Sequence, residues 1–322
     1  MKKITAYYLR QNMYTLVPDH LREDLKWMTE CGTSDVAIAV LEGDLFSARA
    51  NLDIIRNETH RCNMNLWVIP SRWGGLVAGA PKVPSLFASS RPHLWSRRED
   101  QTPYTSLGPC LSIHYNETLD FFYNSLRELL VGHNISGIIW DEPKTLDTED
   151  FSRAAQSSRP AGAGREWDLK KHAEFFSLLG KMAKEFQPDI KLSMFLMGHM
   201  RKEIIDECAA IKNLDEFGCD GRPWSLNHDY FPVPKTGETV LKALLDQAPA
   251  FISAARKNGK KTFALVENHS METELFELMD KRLPDVLKLD LDRIMYYYFP
   301  RNVAEPERQM KILKKHLKQF RR

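Results

Sequence analysis

The feature that most constrains this chain is an alternation, repeated from one end to the other, of short apolar runs with longer amphipathic segments. Eight runs have the length and composition of strands: residues 4–10, 36–42, 66–70, 137–142, 192–197, 216–220, 262–267 and 294–299. Each is followed by a helix-like segment. Asp19 follows Pro18 and precedes Leu21, Leu25 and Met28, and Gly32 closes the turn. Asn116 opens a helix carrying Leu119, Phe122, Leu126, Leu129 and Leu130 on one face, with Gly132 near its end. Asp168 opens another that runs to Gln187 and is stopped by Pro188. Helices over 239–258 and 271–283 are expected to end at Gly259 and Pro284, and Pro306 starts the last one, where its missing N–H costs nothing.

Repeated strand–helix pairs imply parallel strands joined by right-handed crossovers. Eight such pairs are the number that closes a (β/α)₈ barrel. The alternative, an open doubly wound sheet, calls for a glycine-rich phosphate loop after the first strand. The chain instead reads Tyr7-Tyr8-Leu9-Arg10-Gln11-Asn12 there. The expectation is therefore an α/β fold, one TIM-barrel domain over residues 1–322.

Loop lengths are unequal. The connections after the third, fourth and sixth strands, residues 71–115, 144–167 and 221–238, are long, and all leave the carboxyl-terminal face. Long connections in a compact domain are usually lids or binding loops. Residues 153–165, rich in Ser, Ala, Gly and Arg, are the best candidate for a mobile tip.

Bulk properties exclude several classes. The net charge of +2 gives no case for nucleic acid as a main partner. The basic carboxyl-terminal run, with Ile312, Leu313, Leu317 and Phe320 at helical spacing, reads as an amphipathic helix with a solvated basic face. Five scattered cysteines without a CxxC argue against a disulfide framework and a structural zinc site. The amino terminus reaches Arg10 and Gln11 without the apolar core of a signal peptide, and no run approaches the roughly 18 apolar residues of a membrane span. A reduced, cytoplasmic protein without a membrane partner is expected, with its oligomeric state left open.

The ends of the strands carry the chemistry. The fourth runs Ile138-Ile139-Trp140-Asp141-Glu142-Pro143, an apolar strand stopped by two carboxylates and a proline. The third ends in Ser71-Arg72-Trp73, the fifth in Gly198-His199, and the sixth in Asp220-Gly221-Arg222-Pro223-Trp224. The seventh ends in Glu267-Asn268-His269 and the eighth in Tyr298-Phe299-Pro300-Arg301. Carboxylates on strands four and seven can face each other across a barrel mouth, and a carboxyl pair is what glycoside hydrolysis usually requires.

Trp140-Asp141-Glu142-Pro143 resembles the fourth-strand Asn-Glu-Pro acid/base motif of glycoside hydrolase clan A, and Glu267 is similar in position to that clan's seventh-strand nucleophile. The resemblance covers the barrel plan and these two short motifs. It implies a retaining glycosidase, with Glu142 as acid/base and Glu267 as nucleophile, acting on a carbohydrate. Asp141 departs from the clan's asparagine, which normally binds the sugar 2-hydroxyl. A rival pairing, Asp141 with Asp220, resembles the paired aspartates of barrel α-glycosidases. Strand alternation bears on the choice: if Glu142 points inward, Trp140 does too and Asp141 turns outward, unless the proline breaks the pleat.

Substrate-binding roles are expected for Asp141, Trp73, Arg72, His199, Asp220, Trp224, Asn268 and Tyr298. The loop indoles Trp73, Trp95 and Trp224 can cover the apolar face of a pyranose, and Arg72, Arg222 and Arg301 can pair with an anionic group on the substrate. Each of these also has an ordinary packing or salt-bridge reading, and Trp27 and Trp67 read as core. His60, His172 and His316 read as surface residues of helices. No cofactor or metal is expected. A metal-dependent sugar isomerase or epimerase drawing on His199, His269 and the acids stays open, although no HxH or HExxH spacing supports it. A barrel that binds a sugar without turning it over is the non-enzymatic alternative.

Overall fold

The computed structural model describes residues 2–8, 16–105, 108–225 and 242–320. The expected strand residues 9–10, most of the loop after the sixth strand and the start of the helix expected at 239 lie outside the described residues.

In chain order the elements are β1 (Lys3–Tyr8), α1 (Pro18–Glu30), β2 (Asp35–Val40), α2 (Glu42–Ser47), α3 (Arg49–Arg61), β3 (Asn65–Pro70), α4 (Leu86–Ser89), α5 (Asn116–Leu130) and β4 (Gly137–Asp141). There follow α6 (Arg153–Ser158), α7 (Arg165–Phe186), β5 (Lys191–Met197), α8 (Lys202–Ala209), β6 (Glu216–Gly221), α9 (Leu244–Lys257), β7 (Lys261–Val266), α10 (Leu275–Val286), β8 (Arg293–Tyr297) and α11 (Pro306–Phe320). The eight strands close into one barrel in sequence order, every neighbouring pair parallel and β8 returning to β1. The strand–helix alternation is thus a (β/α)₈ barrel.

Alternation along each strand sorts side chains into two cores. Tyr7, Ala37, Ala39, Trp67, Ile69, Ile139, Phe195, Phe263, Leu265 and Met295 fill the barrel, while the opposite set packs against the helices. Large and small residues share the interior: a Cβ on Gly137 would lie 2.3 Å from the Trp67 ring, so only glycine lets that indole cross the barrel.

The amino-terminal end is sealed by a satisfied ion cluster. Arg293 donates to Glu216 at 2.7 and 3.2 Å and to Thr5 Oγ1 at 2.6 Å, lies 3.4 Å from Asp35, and stacks 4.2 Å from the Trp67 ring. Trp67 Nε1 in turn donates to Asp35 at 3.1 Å.

Three expectations about the elements are corrected. Pro284 lies inside α10, which continues to Val286: the proline gives up its own bond to the carbonyl four residues back, but the turn still closes beyond it, with Leu287 N–H donating to Leu283 O at 3.1 Å. Residues 153–165 do not form a loose tip. Ser152 caps α6, and Arg159 donates to the fully buried Asp168 at 2.5 Å and to Asp150 O at 2.9 Å. His172 and His316 are buried rather than on the surface: His172 contacts Thr145 Oγ1 at 2.8 Å, and His316 contacts Asp280 at 2.5 Å.

Candidate active site

The mouth of the barrel is built around the end of β4. Ile139 points into the barrel, Trp140 points out against Phe176 at 5.5 Å, and Asp141 points in again. Regular pleating would send Glu142 outward. Its backbone instead takes φ 36°, a left-handed conformation that residues with a Cβ rarely adopt, while its N–H still reaches Phe195 O at 3.0 Å. The pleat breaks at the proline step and both acids face the mouth. The choice posed by strand alternation is resolved in favour of the two together.

Four other strands complete the ring. Tyr7, on β1, stacks on Tyr297 of β8 at 4.9 Å, donates to Asp141 at 3.4 Å and accepts from Ala80 N at 3.1 Å. Asp220, near the end of β6, shares a hydrogen bond with Glu142. Glu267 stands just past β7, its N–H donating to Gly221 O at 2.9 Å and its carboxylate 3.3 Å from His269 Nε2. A cavity at the mouth is lined by Glu142, Asp220, Glu267, His199, Arg222 and Trp224 together with neighbouring residues. Arg222 is buried, its guanidinium 5.9 Å from the Trp224 ring.

Crowding of carboxyls at this depth separates their proton affinities. Burial, and then the charge of Glu142, hold Asp141 up at about 7. Burial, then the charges of Glu142 and Glu267, push Asp220 well above the usual carboxylate range. Burial also favours the neutral form of Glu142, but the hydrogen bond from Asp220 and the ion pair with Lys144, at 2.6 Å, outweigh it and hold Glu142 below its ordinary value. Asp220 and Glu142 are thus pushed in opposite directions, so that Asp220 holds its proton more firmly than Glu142 and the two titrate as a pair. Among the described residues no group of three His, Cys, Asp or Glu has the arrangement of a metal site.

Several expected contacts are placed elsewhere. Trp73 is fully buried; its indole N–H donates to Val40 O at 2.9 Å and its ring packs against Phe121 and Phe122. Alternation turns Tyr297 inward and Tyr298 outward, where the Tyr298 hydroxyl donates to Asp24 of α1 at 2.8 Å. Asn268 is a fastener: it accepts from Tyr297 N at 2.8 Å, donates to Tyr297 O at 2.9 Å and bonds Gln309 of α11. Trp95 donates to Ala88 O at 2.7 Å within the loop after β3. His199, Asp220 and Trp224 do line the cavity; Asp141, under the Tyr7 hydroxyl, and Arg72 do not.

Sequence reasoning missed Tyr7, Tyr297 and Lys144. Tyr7 was findable as the second inward position before the end of strand one. Lys144 follows the Asp-Glu-Pro motif directly, but nothing in the sequence tells that it folds back on Glu142. Glu42, another acid just past a strand, has a different task. It accepts from Gly74 N, Ser85 Oγ and Phe87 N at 3.1, 2.6 and 2.7 Å, tying down the long loop after β3.

No family model matches the chain, and no curated protein matches it in sequence. Solved structures do. The chain is similar to the catalytic domain of a β-amylase from Paenibacillus polymyxa, at TM-score 0.65 and 9% identity over 98% of both chains. It is similar to a β-galactosidase from Marinomonas ef1, at TM-score 0.66 and 8% identity, covering 99% of this chain and 59% of the larger one. It is similar to an endo-β-1,4-mannanase from Thermotoga petrophila, at TM-score 0.59 and 10% identity, over 99% and 77% of the two chains. At such identities the likeness is one of fold: this chain has the barrel that these glycosidases have.

Proposed function

We propose that the protein hydrolyses a glycosidic bond with retention of configuration, Glu142 acting as acid/base and Glu267 as nucleophile. The observation that carries this reading is the convergence of Glu142, Asp220 and Glu267 on one cavity, with Trp224 in its wall; Asp220 is held up and Glu142 held down in proton affinity. Support comes also from the fold, since the similar solved structures bear the names of glycosidases.

In the first step Glu142 passes the proton it shares with Asp220 to the glycosidic oxygen as the bond to the anomeric carbon breaks. The Glu267 carboxylate attacks that carbon and holds the sugar covalently. In the second step Glu142 takes a proton from water, the resulting hydroxide displaces Glu267, and the pair has its proton back. Asp220 is the reservoir that lets an otherwise anionic Glu142 serve as an acid. Trp224 offers an apolar face to the ring, and His199 a polar group at the rim.

A second reading pairs Asp141 with Asp220. It is favoured by the high proton affinity of both, but Asp141 is not among the residues that line the cavity. The test is a panel of nitrophenyl glycosides with product anomers followed by NMR. Glu142→Gln and Glu267→Gln are each expected to lower kcat by about 10²–10⁴-fold. Full activity in both variants, or a product of inverted configuration, would overturn the assignment.

A further inference from the structure

On the other side of Lys144 lies a second cavity, walled by Arg72, Tyr104, Cys110, Lys144, Thr145 and Thr148. No Asp or Glu borders it among the described residues. Arg72 is 8% exposed, held by Pro81 O at 3.3 Å and Gly79 O at 3.4 Å. Among the described residues no carboxylate oxygen lies within 4.0 Å of its guanidinium. An arginine so deeply buried is almost always paired, because an uncompensated charge away from water is costly. Here Asp141 and Glu142 act on it only at longer range.

The backbone shows the same commitment. Arg72 and Thr145 both take left-handed conformations, at φ 63° and 62°, on two walls of this cavity. Such strain persists only where the surroundings enforce it, and it gathers at ligand sites. The hydroxyls of Thr145, Thr148 and Tyr104 donate to Lys144 O, Thr145 O and Glu149 O, so they build the wall. Recognition falls to the cations. A guanidinium has five N–H donors, of which the two carbonyls occupy Nε and Nη2, and an ammonium has three.

We propose that this cavity is an oxyanion subsite, in which Arg72 and Lys144 hold the carboxylate, sulfate or phosphate of an acidic saccharide next to the bond that is cleaved. The saccharide part rests on the glycosidase reading; the anion part does not. Lys144 joins the two cavities, since its Nζ holds Glu142 while its side chain lines the second. An anion that draws Lys144 away removes the positive charge that keeps Glu142 ionised and so raises its proton affinity. The substrate's own charge thereby prepares the acid.

Calorimetric titration of the full chain with D-glucuronate, D-glucose 6-sulfate, D-glucose 6-phosphate and D-glucose tests the proposal. At least one charged sugar is expected to bind ten times or more tightly than glucose, and which one does identifies the anion. That preference should fall tenfold or more in Arg72→Met, or in Lys144→Met should the first variant not fold. Equal binding of all four, or a preference that survives in the folded variant, overturns the subsite. Saturation with the tightest anion should also raise the titration midpoint of Glu142 observed by ¹³C NMR, and no movement overturns the Lys144 link. Anion binding without hydrolysis of any glycoside would remove the hydrolase reading alone. Hydrolysis of neutral glycosides without anion preference would remove this one alone.

Discussion

Asp141→Asn isolates the electrostatics of the mouth, because its effect on stability has a sign and a size that follow from the structure. Asp141 is held up from its ordinary 3.8 to about 7, by burial first and by Glu142 second. Well below 3.8 it carries its proton whether the chain is folded or not, and it does not affect the balance. Between 3.8 and about 7 the unfolded chain releases a proton that the folded chain retains, so folding loses ground as pH rises. Above about 7 the loss is complete. At roughly 1.4 kcal/mol per pH unit the difference amounts to about 4 kcal/mol. Asparagine has nearly the same shape and can still accept from Tyr7, but it has no proton to hold. The variant is therefore expected to gain on the parent by about 4 kcal/mol between pH 4 and pH 8. Urea midpoints and slopes measured for both proteins at pH 4, 6 and 8 give the comparison. Parallel curves across that range would refute the reasoning, since they would mean that Arg72 and Lys144 suffice to ionise Asp141 at little cost.

Two further outcomes follow from buried ion pairs. Arg293→Met would leave Glu216 and Asp35 facing each other in the barrel floor and should cost about 3–5 kcal/mol by equilibrium denaturation, so that a loss below about 1 kcal/mol would contradict the role given to the cluster. Arg159→Met takes the guanidinium from the fully buried Asp168 and leaves it, among the described residues, only Asp150 N–H at 3.4 Å and His114 Nε2 at 3.6 Å; amide exchange in α6 and the neighbouring loop should accelerate at least tenfold while the strands keep their protection, and unchanged exchange in α6 would show that the clasp does not hold the loop.

Periodicity of two and 3.6 residues was enough to read the barrel, because burial imposes those periods on sequence independently of any partner strand. It was less informative wherever a side chain's direction depends on the last residue of a strand. Tyr296-Tyr297-Tyr298 illustrates the limit: one tyrosine of three faces the mouth, and only the register of β8 against β1 says which. The two acids after Trp140 illustrate the opposite case. Alternation predicts that one of them is lost to the outside, and the left-handed turn at Glu142 defeats it. Trp73 looked like a sugar platform because it follows a strand end, yet the turn at Arg72 drives its ring into the packing between the loop and α5. Long polar loops likewise read as mobile when their anchor, as with Arg159 and Asp168, comes from residues whose pairing no local pattern reveals.

The two ends of the barrel supply an internal control on the meaning of buried acids. Glu216 at the floor is gripped by an arginine, and Glu42 beside the mouth accepts three hydrogen bonds from the loop it secures. Those are what carboxylates kept for folding look like here: each has donors enough to compensate its burial. Asp141 has a tyrosine hydroxyl at 3.4 Å, and Asp220 has another carboxyl for a partner. A chain that needed these two acids only for stability would be better served by asparagine at both positions. Their presence at the mouth, beside a residue in a left-handed turn, sets an under-compensated cluster on top of a well-compensated floor. Under-compensated buried acids at the mouth, set against the paired acids of the floor, mark a site shaped for a task other than folding. The chemistry that a neutral acid beside a poised carboxylate can do is proton transfer coupled to nucleophilic attack, which is what the proposed reaction requires.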